Sequence, residues 1–512
     1  MRISGLVVLL TFSLAAWSFA QSATEPTSAP STESTQDNSP PPHDESAKSE
    51  DKLSVTQHSI TLDGNKIDYQ ATAGTLNMKD EQGKPLASFF FVAYTKQPTT
   101  QPADRPVTFV FNGGPGAAAV WLHMGCIGPE KVNLQEHGLP YPPPHVAITN
   151  DQCWLDLTDL VFIDPVGTGY SRPAEGRKDE EFHGVEQDLD TVGNFIRLYL
   201  TRYQRWESPK FLAGESYGTT RAAGLSSHLL ENYGIDLNGI VLISTVLNFQ
   251  TLSPSDGNDL PYALYLPTYA SLALYHQKAT APDHDQFVEA AAHYAMNDYI
   301  FALSKGGNLT KEARAAVVDQ LAKYTGISPA LIDQANLRIG PTFFRRHLLE
   351  DQRLIIGRYD GRITGEDPSP ESFDDEYDPS YSLYLPVYSA VFNDYVRREL
   401  KFESDLKYEV LANLNWDFGQ RDMGYLDMTE SLRSAMLQNP NLKVLVCSGY
   451  DDLATPFQAT RYTFDHLDPT DLLHARVTQT YYPSGHMIYH DGPSLKKLKQ
   501  DVTAFFAAAL KG

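Results

Sequence analysis

Cysteine is scarce in this chain, with only Cys126, Cys153 and Cys447 among 512 residues. Three thiols allow one bridge at most, with one left over, so a disulfide-rich scaffold is excluded. Cys447 lies inside an apolar run and reads as a small core residue; a Cys126–Cys153 bridge is left open. Long apolar runs are missing too. Beyond the N-terminus no segment approaches the roughly 20 residues that a membrane helix needs. The histidines, His123 and His183 among them, show no metal-ligand spacing, and neither a metal nor a cofactor is expected. Basic residues are in deficit, 41 Lys and Arg against 64 Asp and Glu, for a formal charge of −23. That balance disfavours nucleic acid or an anionic membrane as partner and reads as a solvated acidic surface. Internal repeats are not visible.

Hydrophobic residues, at 42%, suffice for a sizeable core. The first 20 residues read as a secretory signal: Met1-Arg2 is basic, Gly5 to Ala16 is apolar, and Ser18-Phe19-Ala20 is a small-x-small cleavage site. Cleavage after Ala20 and export, to a periplasm or the exterior, are expected. Residues 21–52, rich in Ser, Thr, Pro, Glu and Asp, cannot bury enough surface to order themselves and read as a flexible linker.

The stretch around which the rest is organised is Lys210 to Thr220. A strand-like run, Phe211 to Ala213, meets Gly214-Glu215-Ser216-Tyr217-Gly218, and a helix-compatible segment follows. In such a turn the serine sits in a strained backbone conformation, with small residues two positions to either side. Ser216 is therefore the candidate nucleophile. A base and an orienting acid should follow in the order acid, then histidine. The run Leu442 to Gly449 ends in Tyr450-Asp451-Asp452-Leu453-Ala454-Thr455-Pro456. The run Val477 to Tyr482 ends in Pro483-Ser484-Gly485-His486. Both candidates lie just past strand ends, where open α/β sheets gather their sites. Asp452 is preferred over Asp451 because Asp-x-x-x-Pro beyond a strand fits the acid position. His486, after Gly485, is preferred over the nearby His490. A third strand, Val107 to Phe111, runs into Asn112-Gly113-Gly114-Pro115-Gly116. A glycine-rich loop upstream of the nucleophile donates one oxyanion-hole amide, and the residue after the nucleophile, Tyr217, donates the other.

Four blocks resemble the serine carboxypeptidase family: Asn112 to Gly116, Asp164 to Ser171, Gly214 to Gly218, and Gly485-His486-Met487. The likeness is strong from about Ile60 to Thr245 and from about Leu442 to Pro493. It implies an α/β-hydrolase fold, with Ser216, Asp452 and His486 as triad and Gly114 and Tyr217 as oxyanion donors. It further implies that Asn112, the Gly113 amide and Glu215 meet the free carboxylate of a peptide substrate. The family pairs that glutamate with a second one, and here the second position falls on Cys126. Ala117 stands where the first loop usually carries a cysteine. The missing glutamate favours a rival within catalysis, an esterase or acyltransferase on the same triad. A rival of another class is a silent hydrolase-fold protein that binds peptides.

The expected architecture is a mostly parallel sheet opened by antiparallel N-terminal strands. The catalytic core would comprise 53–251 and 430–512, with a mainly helical cap at 252–429. Strands are expected over Ser54 to Leu62, Ile67 to Ala71, Ala87 to Tyr94, Asp159 to Pro165 and Gly239 to Ser244. Helical spacing marks Asp188 to Tyr203, Lys311 to Tyr324 and Leu495 to Leu510. Leu354 to Ile363 reads as a hairpin strand. The loop Val166 to Arg172 would either line the site or serve as a tight turn. The cap tyrosines Tyr262, Tyr265, Tyr269, Tyr381, Tyr384 and Tyr388 would pack the cap's surface or shape a pocket.

Overall fold

The computed structural model describes residues 51–98, 101–369, 377–419, 424–468 and 470–511. The signal and most of the linker fall outside the described residues. Asp51 and Lys52, at the linker's end, are tied to the sheet: Asn77 N donates to Asp51 Oδ1 at 2.8 Å and Thr75 N to Lys52 O at 2.8 Å.

The main sheet contains β1 (Leu53–Leu62), β2 (Asn65–Lys79), β3 (Pro85–Gln97), β4 (Val107–Phe111), β5 (Asp159–Ile163), β6 (Lys210–Ser216), β7 (Gly239–Thr245), β8 (Lys443–Gly449) and β9 (Val477–Tyr482). Their order is β1-β2-β3-β5-β4-β6-β7-β8-β9, with the two-residue strand Arg172–Pro173 added beside β3. Pairings from β1 through β3 to β5 are antiparallel and the rest are parallel. This is the expected mixed sheet of an α/β-hydrolase. Asp63 and Gly64, with φ of 47° and 77°, close the β1–β2 hairpin in the two-residue turn whose twist matches its strands. β2 runs on to Lys79, well past Ala71. Its middle is buried on both faces, so the alternation that would signal a strand disappears there.

Alternate residues of the parallel strands feed two cores. Val110, Phe162, Phe211, Ala213, Val241, Leu445 and Cys447 point to one face, against the C-terminal helix Gly492–Ala509 and the helix Pro379–Arg398. Phe109, Phe111, Val161, Leu212, Ile240, Leu242 and Val446 point to the other, against helices Val185–Arg202 and Tyr217–Tyr233. Cys447 is thus the small core residue that its run indicated. Both faces being covered, the central strands read as continuous apolar runs.

Between β7 and β8 the chain forms a separate apolar cluster of helices, among them Leu260–Tyr275, His284–Tyr294 and Lys311–Thr325. Thr310 caps the last of these and Gly326, at φ 68°, ends it, the asymmetry that caps favour. Ser328 caps the helix Pro329–Gln334, which has proline in its first turn. Tyr265, Tyr269, Tyr384 and Tyr388 are buried, so these tyrosines form interior rather than surface packing. Leu354 to Ile363 is not one strand. Leu354–Ile356 pairs with Thr364–Glu366, and residues 357–363 turn between them. The turn closes through Gly357 N to Ile363 O at 2.8 Å, and Gly361 N reaches Asp451 O at 3.0 Å. Beyond residue 400 the chain returns along the sheet end, bridging Glu409 to Gly169, Leu411 to Ala117 and Asp427 to Asn248. Among the described residues no helix is long and apolar enough to cross a membrane.

Candidate active site

Parallel pairing aligns the C-terminal ends of β4, β6, β8 and β9, with Phe111 opposite Gly214 and Gly449 opposite Tyr482. Ser216 ends β6, and Asn112, Asp452 and His486 come just past the ends of β4, β8 and β9, so the topology gathers them at one edge. Ser216 has φ 60° and ψ −131° and caps the helix Tyr217–Tyr233. A β-carbon on Gly214 would lie 2.2 Å from Gly218 O, and one on Gly218 would lie 2.9 Å from Phe111 O. Only glycine fits either position, which is why the strained turn needs both. Gly113 is equally pressed: its β-carbon would sit 2.4 Å from Tyr217 N. The glycine loop therefore abuts the amide that starts the helix.

His486 Nδ1 is 2.8 Å from Asp452 Oδ2, and both side chains are buried. Asp452 Oδ1 accepts from Ala454 N at 2.7 Å and Thr455 N at 3.0 Å, while Thr455 Oγ1 donates to Oδ2 at 2.6 Å. Thr455 Oγ1 also lies 3.2 Å from His486 Nδ1. The imidazole is fixed through its backbone as well: His486 N donates to Tyr359 O at 2.6 Å, and Ser244 Oγ to His486 O at 2.6 Å. Burial opposes the charged ring, but the adjacent Asp452 carboxylate outweighs it and holds the His486 pKa above its ordinary value. Asp451 points elsewhere, accepting from Ser271 Oγ at 2.6 Å. His490 is buried against Tyr388, Nε2 to Oη 2.9 Å, and burial pushes its pKa down to about 3. Neither joins the Asp452–His486 pair.

One cavity is lined by Asn112, Gly113, Gly114, Glu215, Ser216, Tyr217 and His486, which accounts for every sequence-predicted site residue except the buried Asp452 behind the ring. Among the described residues Ser216 Oγ makes no hydrogen bond. Trp121, Tyr359, Tyr381 and Met487 add an aromatic and apolar wall, and Phe249 and Leu252 another.

Asn112 and Glu215 lie together: Asn112 Nδ2 donates to Glu215 Oε1 at 3.1 Å. Asn112 is oriented by Leu122 N, which donates to its Oδ1 at 3.0 Å, and by the buried Arg221, whose Nη1 donates to Asn112 O at 2.6 Å. Arg221 is in turn held by Asp188 at 2.7 Å. Burial pushes Glu215 up to about 7, with His486, Tyr489 and Asn112 opposing the rise and Asp452 adding to it. The Tyr489 hydroxyl lies beside the Glu215 carboxyl, yet Tyr489 Oη and Glu215 Oε2 each lack a well-formed hydrogen bond among the described residues.

Cys126, where the resemblance places a second glutamate, is fully buried in the turn His123–Ile127, and burial with the nearby Glu215 carboxyl pushes its thiol pKa well up. No carboxyl from that position joins Glu215. All three cysteines are free, so Cys126 and Cys153 are not bridged. Glu130 lies apart from the cavity at Ser216, beside His58, Tyr69 and Tyr395. The loop Val166 to Arg172 is a tight turn: none of its residues lines the cavity. Ser171 Oγ donates to Asp164 O at 2.6 Å, and Asp164 Oδ1 accepts Ala119 N at 2.8 Å. The loop thus braces the segment that follows the glycine loop Asn112 to Gly116. Sequence reasoning missed Thr455, Tyr359, Tyr489 and Arg358. Thr455 sits within the Asp-x-x-x-Pro block and Tyr489 three residues after His486; the other two come from the insertion and had no motif to mark them. Among the described residues no cluster of His, Cys, Asp or Glu is arranged to hold a metal.

A family model described as serine carboxypeptidase matches residues 62–487. Serine carboxypeptidase 24 of Arabidopsis thaliana is 21% identical over 411 residues, covering 79% of this chain and 78% of the relative. Pheromone-processing carboxypeptidase KEX1 of Saccharomyces cerevisiae is 31% identical over 147 residues, 27% of this chain and 19% of that protein. The solved structure of Kex1(Δ)p, a prohormone-processing carboxypeptidase from the same yeast, aligns over 85% of this chain and 91% of its own. Its TM-score is 0.50 at 18% identity, a likeness of fold.

Proposed function

We propose that this chain, which belongs to the serine carboxypeptidase family, releases single residues from the free C-termini of peptides through an acyl-enzyme on Ser216. It is a serine hydrolase by that membership. The observation that carries the finer reading is the buried Asp452–His486 pair, 2.8 Å apart, with His486 lining the same cavity as Ser216 at its strained turn and the Asn112–Glu215 pair.

Ser216 Oγ attacks the scissile carbonyl as His486 Nε2 takes its proton. Asp452 holds the Nδ1 tautomer and stabilises the imidazolium. The amides of Gly114 and Tyr217 receive the developing oxyanion, each contributing about 3 kcal/mol by analogy with such donors elsewhere. His486 then protonates the leaving amine, and water repeats the sequence to free the acid. Asn112, the Gly113 amide and Glu215 receive the terminal carboxylate. Two adjacent carboxylates repel unless one is protonated; Glu215, at about 7, carries that proton in mildly acid and near-neutral solution.

Labelling with a fluorophosphonate followed by peptide mapping should place the adduct on Ser216. No adduct would overturn the enzyme reading in favour of a silent binder. Turnover of a C-terminally free peptide library, with each peptide paired to its C-terminal amide, then tests the carboxypeptidase reading. Amides should resist hydrolysis. A second reading, esterase or acyltransferase on the same residues, is favoured by Cys126 standing where a second carboxyl would meet Glu215. Equal turnover of neutral esters and amide-blocked substrates would select it. We also propose that residues 1–20 direct export and are removed, followed by a linker to about residue 52. N-terminal sequencing of the exported protein should begin at Gln21.

A further inference from the structure

Arg358 lies on the turn 357–363 that the insertion sends into the site. It is exposed and lines the catalytic cavity, and it is the one Lys or Arg among the described residues that do so. Several arginines elsewhere in this acidic molecule are held by carboxylates, among them Arg221 by Asp188, Arg338 by Asp259, Arg461 by Glu289 and, on the same turn, Arg362 by Asp360. Arg358 forms no salt bridge among the described residues. Its guanidinium rests over the Tyr359 ring, 5.3 Å from the centroid. The nearby Asp378 carboxylate is occupied with backbone amides: Arg358 N at 3.1 Å, Ser380 N at 2.9 Å and Tyr381 N at 3.3 Å. Asp452, also within electrostatic reach of the guanidinium, is committed to His486 and Thr455.

The backbone around Arg358 is fixed. Arg358 O accepts Leu453 N at 3.1 Å, and the next residue, Tyr359, accepts His486 N. The backbone that carries the guanidinium is therefore anchored beside the Asp452–His486 pair, and the side chain leans on Tyr359 with no carboxylate bonded to it among the described residues. A planar donor fork without a carboxylate partner, set over an aromatic ring at the wall of the cavity, is suited to bind a carboxylate. Glu215 and Asn112 lie elsewhere along the lining and bond to each other, so the cavity offers two separate groups to anions. From these observations we propose that Arg358 is a specificity residue that binds a carboxylate of the substrate, an acidic side chain next to the scissile bond or the chain end. The inference rests on the cavity being a peptide site, as argued above, but not on the peptide being turned over.

Binding is measured by calorimetry on the full chain carrying Ser216→Ala, with and without Arg358→Gln or Arg358→Glu. The ligands are N-acetyl-Ala-Glu-Ala, N-acetyl-Ala-Gln-Ala and the C-terminal amide of each. With Arg358 present, the Glu peptide should bind about 10-fold or more tightly than the Gln peptide, the scale of one hydrogen bond to a charged group. Arg358→Gln should bring the ratio to within about 2-fold and Arg358→Glu should invert it. If the ratio of free acid to amide collapses instead, the bound carboxylate is the chain end and the proposal stands with that source. If both ratios are the same in all three proteins, or no peptide binds, the proposal is overturned. Peptides that bind with these ratios but are not hydrolysed by the parent enzyme would count against the carboxypeptidase reading alone.

Discussion

Replacing Glu215 with Gln separates the electrostatics of the site from its packing. The side chain keeps its shape and its Oε1 still accepts the Asn112 amide, which lies 3.1 Å away, but it can no longer ionise. Burial raises the native carboxyl from an ordinary 4.5 to about 7. The contribution of this group to stability is therefore fully present below about 4.5 and is lost as pH rises through about 7. Above that pH a charge held in the interior disfavours the folded state by about 3 kcal/mol. Glu215→Gln removes the ionisation, so its stability relative to the parent should rise by about 3 kcal/mol between pH 4 and pH 8. Urea unfolding of both proteins across that range measures the difference. A constant difference across the range would refute the reasoning, because it would mean that Glu215 ionises as easily as it does in the unfolded chain. Activity provides a second arm. In the parent, turnover of C-terminally free peptides should fall as pH rises through about 7, as Glu215 loses the proton it shares with the substrate. The variant should lack this alkaline fall, while both keep the acid limb set by the raised pKa of His486.

Thr455→Val, which removes the 2.6 Å bond to Asp452 Oδ2 but keeps the side-chain volume, should lower kcat by about 10-fold. It should also move the acid limb of the pH–rate profile, which mere loosening of the fold would leave in place. Gly218→Ala drives a β-carbon against Phe111 O and the Asn112 carbonyl carbon. It should destabilise by about 1–3 kcal/mol and slow fluorophosphonate labelling more than it lowers Tm. Cys126→Glu puts a second carboxyl beside Glu215, at the expense of overpacking a fully buried position by about 1–3 kcal/mol. The ratio of turnover on free-acid over amide peptides should rise and its optimum should shift to lower pH. An unchanged ratio would show that residue 126 does not face the substrate's terminus.

Much of the sheet could be read along the chain because its strands announce themselves locally. Val107 to Phe111, Asp159 to Ile163 and Val477 to Tyr482 are short apolar or β-branched runs bounded by turn residues, and each ends where a motif begins. The turn at Ser216 was legible because its glycines form a compact local motif, although only Gly214 is required by a neighbour within a few residues, the Gly218 carbonyl, whereas Gly218 answers to Phe111 and Asn112 on the adjacent strand end. The insertion was not. Its turn 357–363 has a composition compatible with strand, and only the pairing of Leu354–Ile356 with Thr364–Glu366 turns it toward the site. Tyr359 and Arg358 acquire their roles from contacts more than 90 residues away in sequence, which no periodicity encodes. The Asp164 loop shows the converse. Its glycines and serine look like site residues, but Ser171 and Asp164 spend their hydrogen bonds on neighbouring backbone. Sequence cannot distinguish a loop that touches substrate from one that stiffens its neighbour.

The turn that carries Tyr359 also limits how this scaffold can be re-engineered. His486 N, Leu453 N and Asp451 O are each bonded to residues 358–361 of the insertion, and Ser271 holds the Asp451 side chain. Excising the insertion to leave a minimal catalyst, or grafting in one from a homologue with other tastes, would cut the moorings of both the acid and the base. A viable chimera must keep Ser271 and the 357–363 turn as part of the host and exchange only what lies outside them.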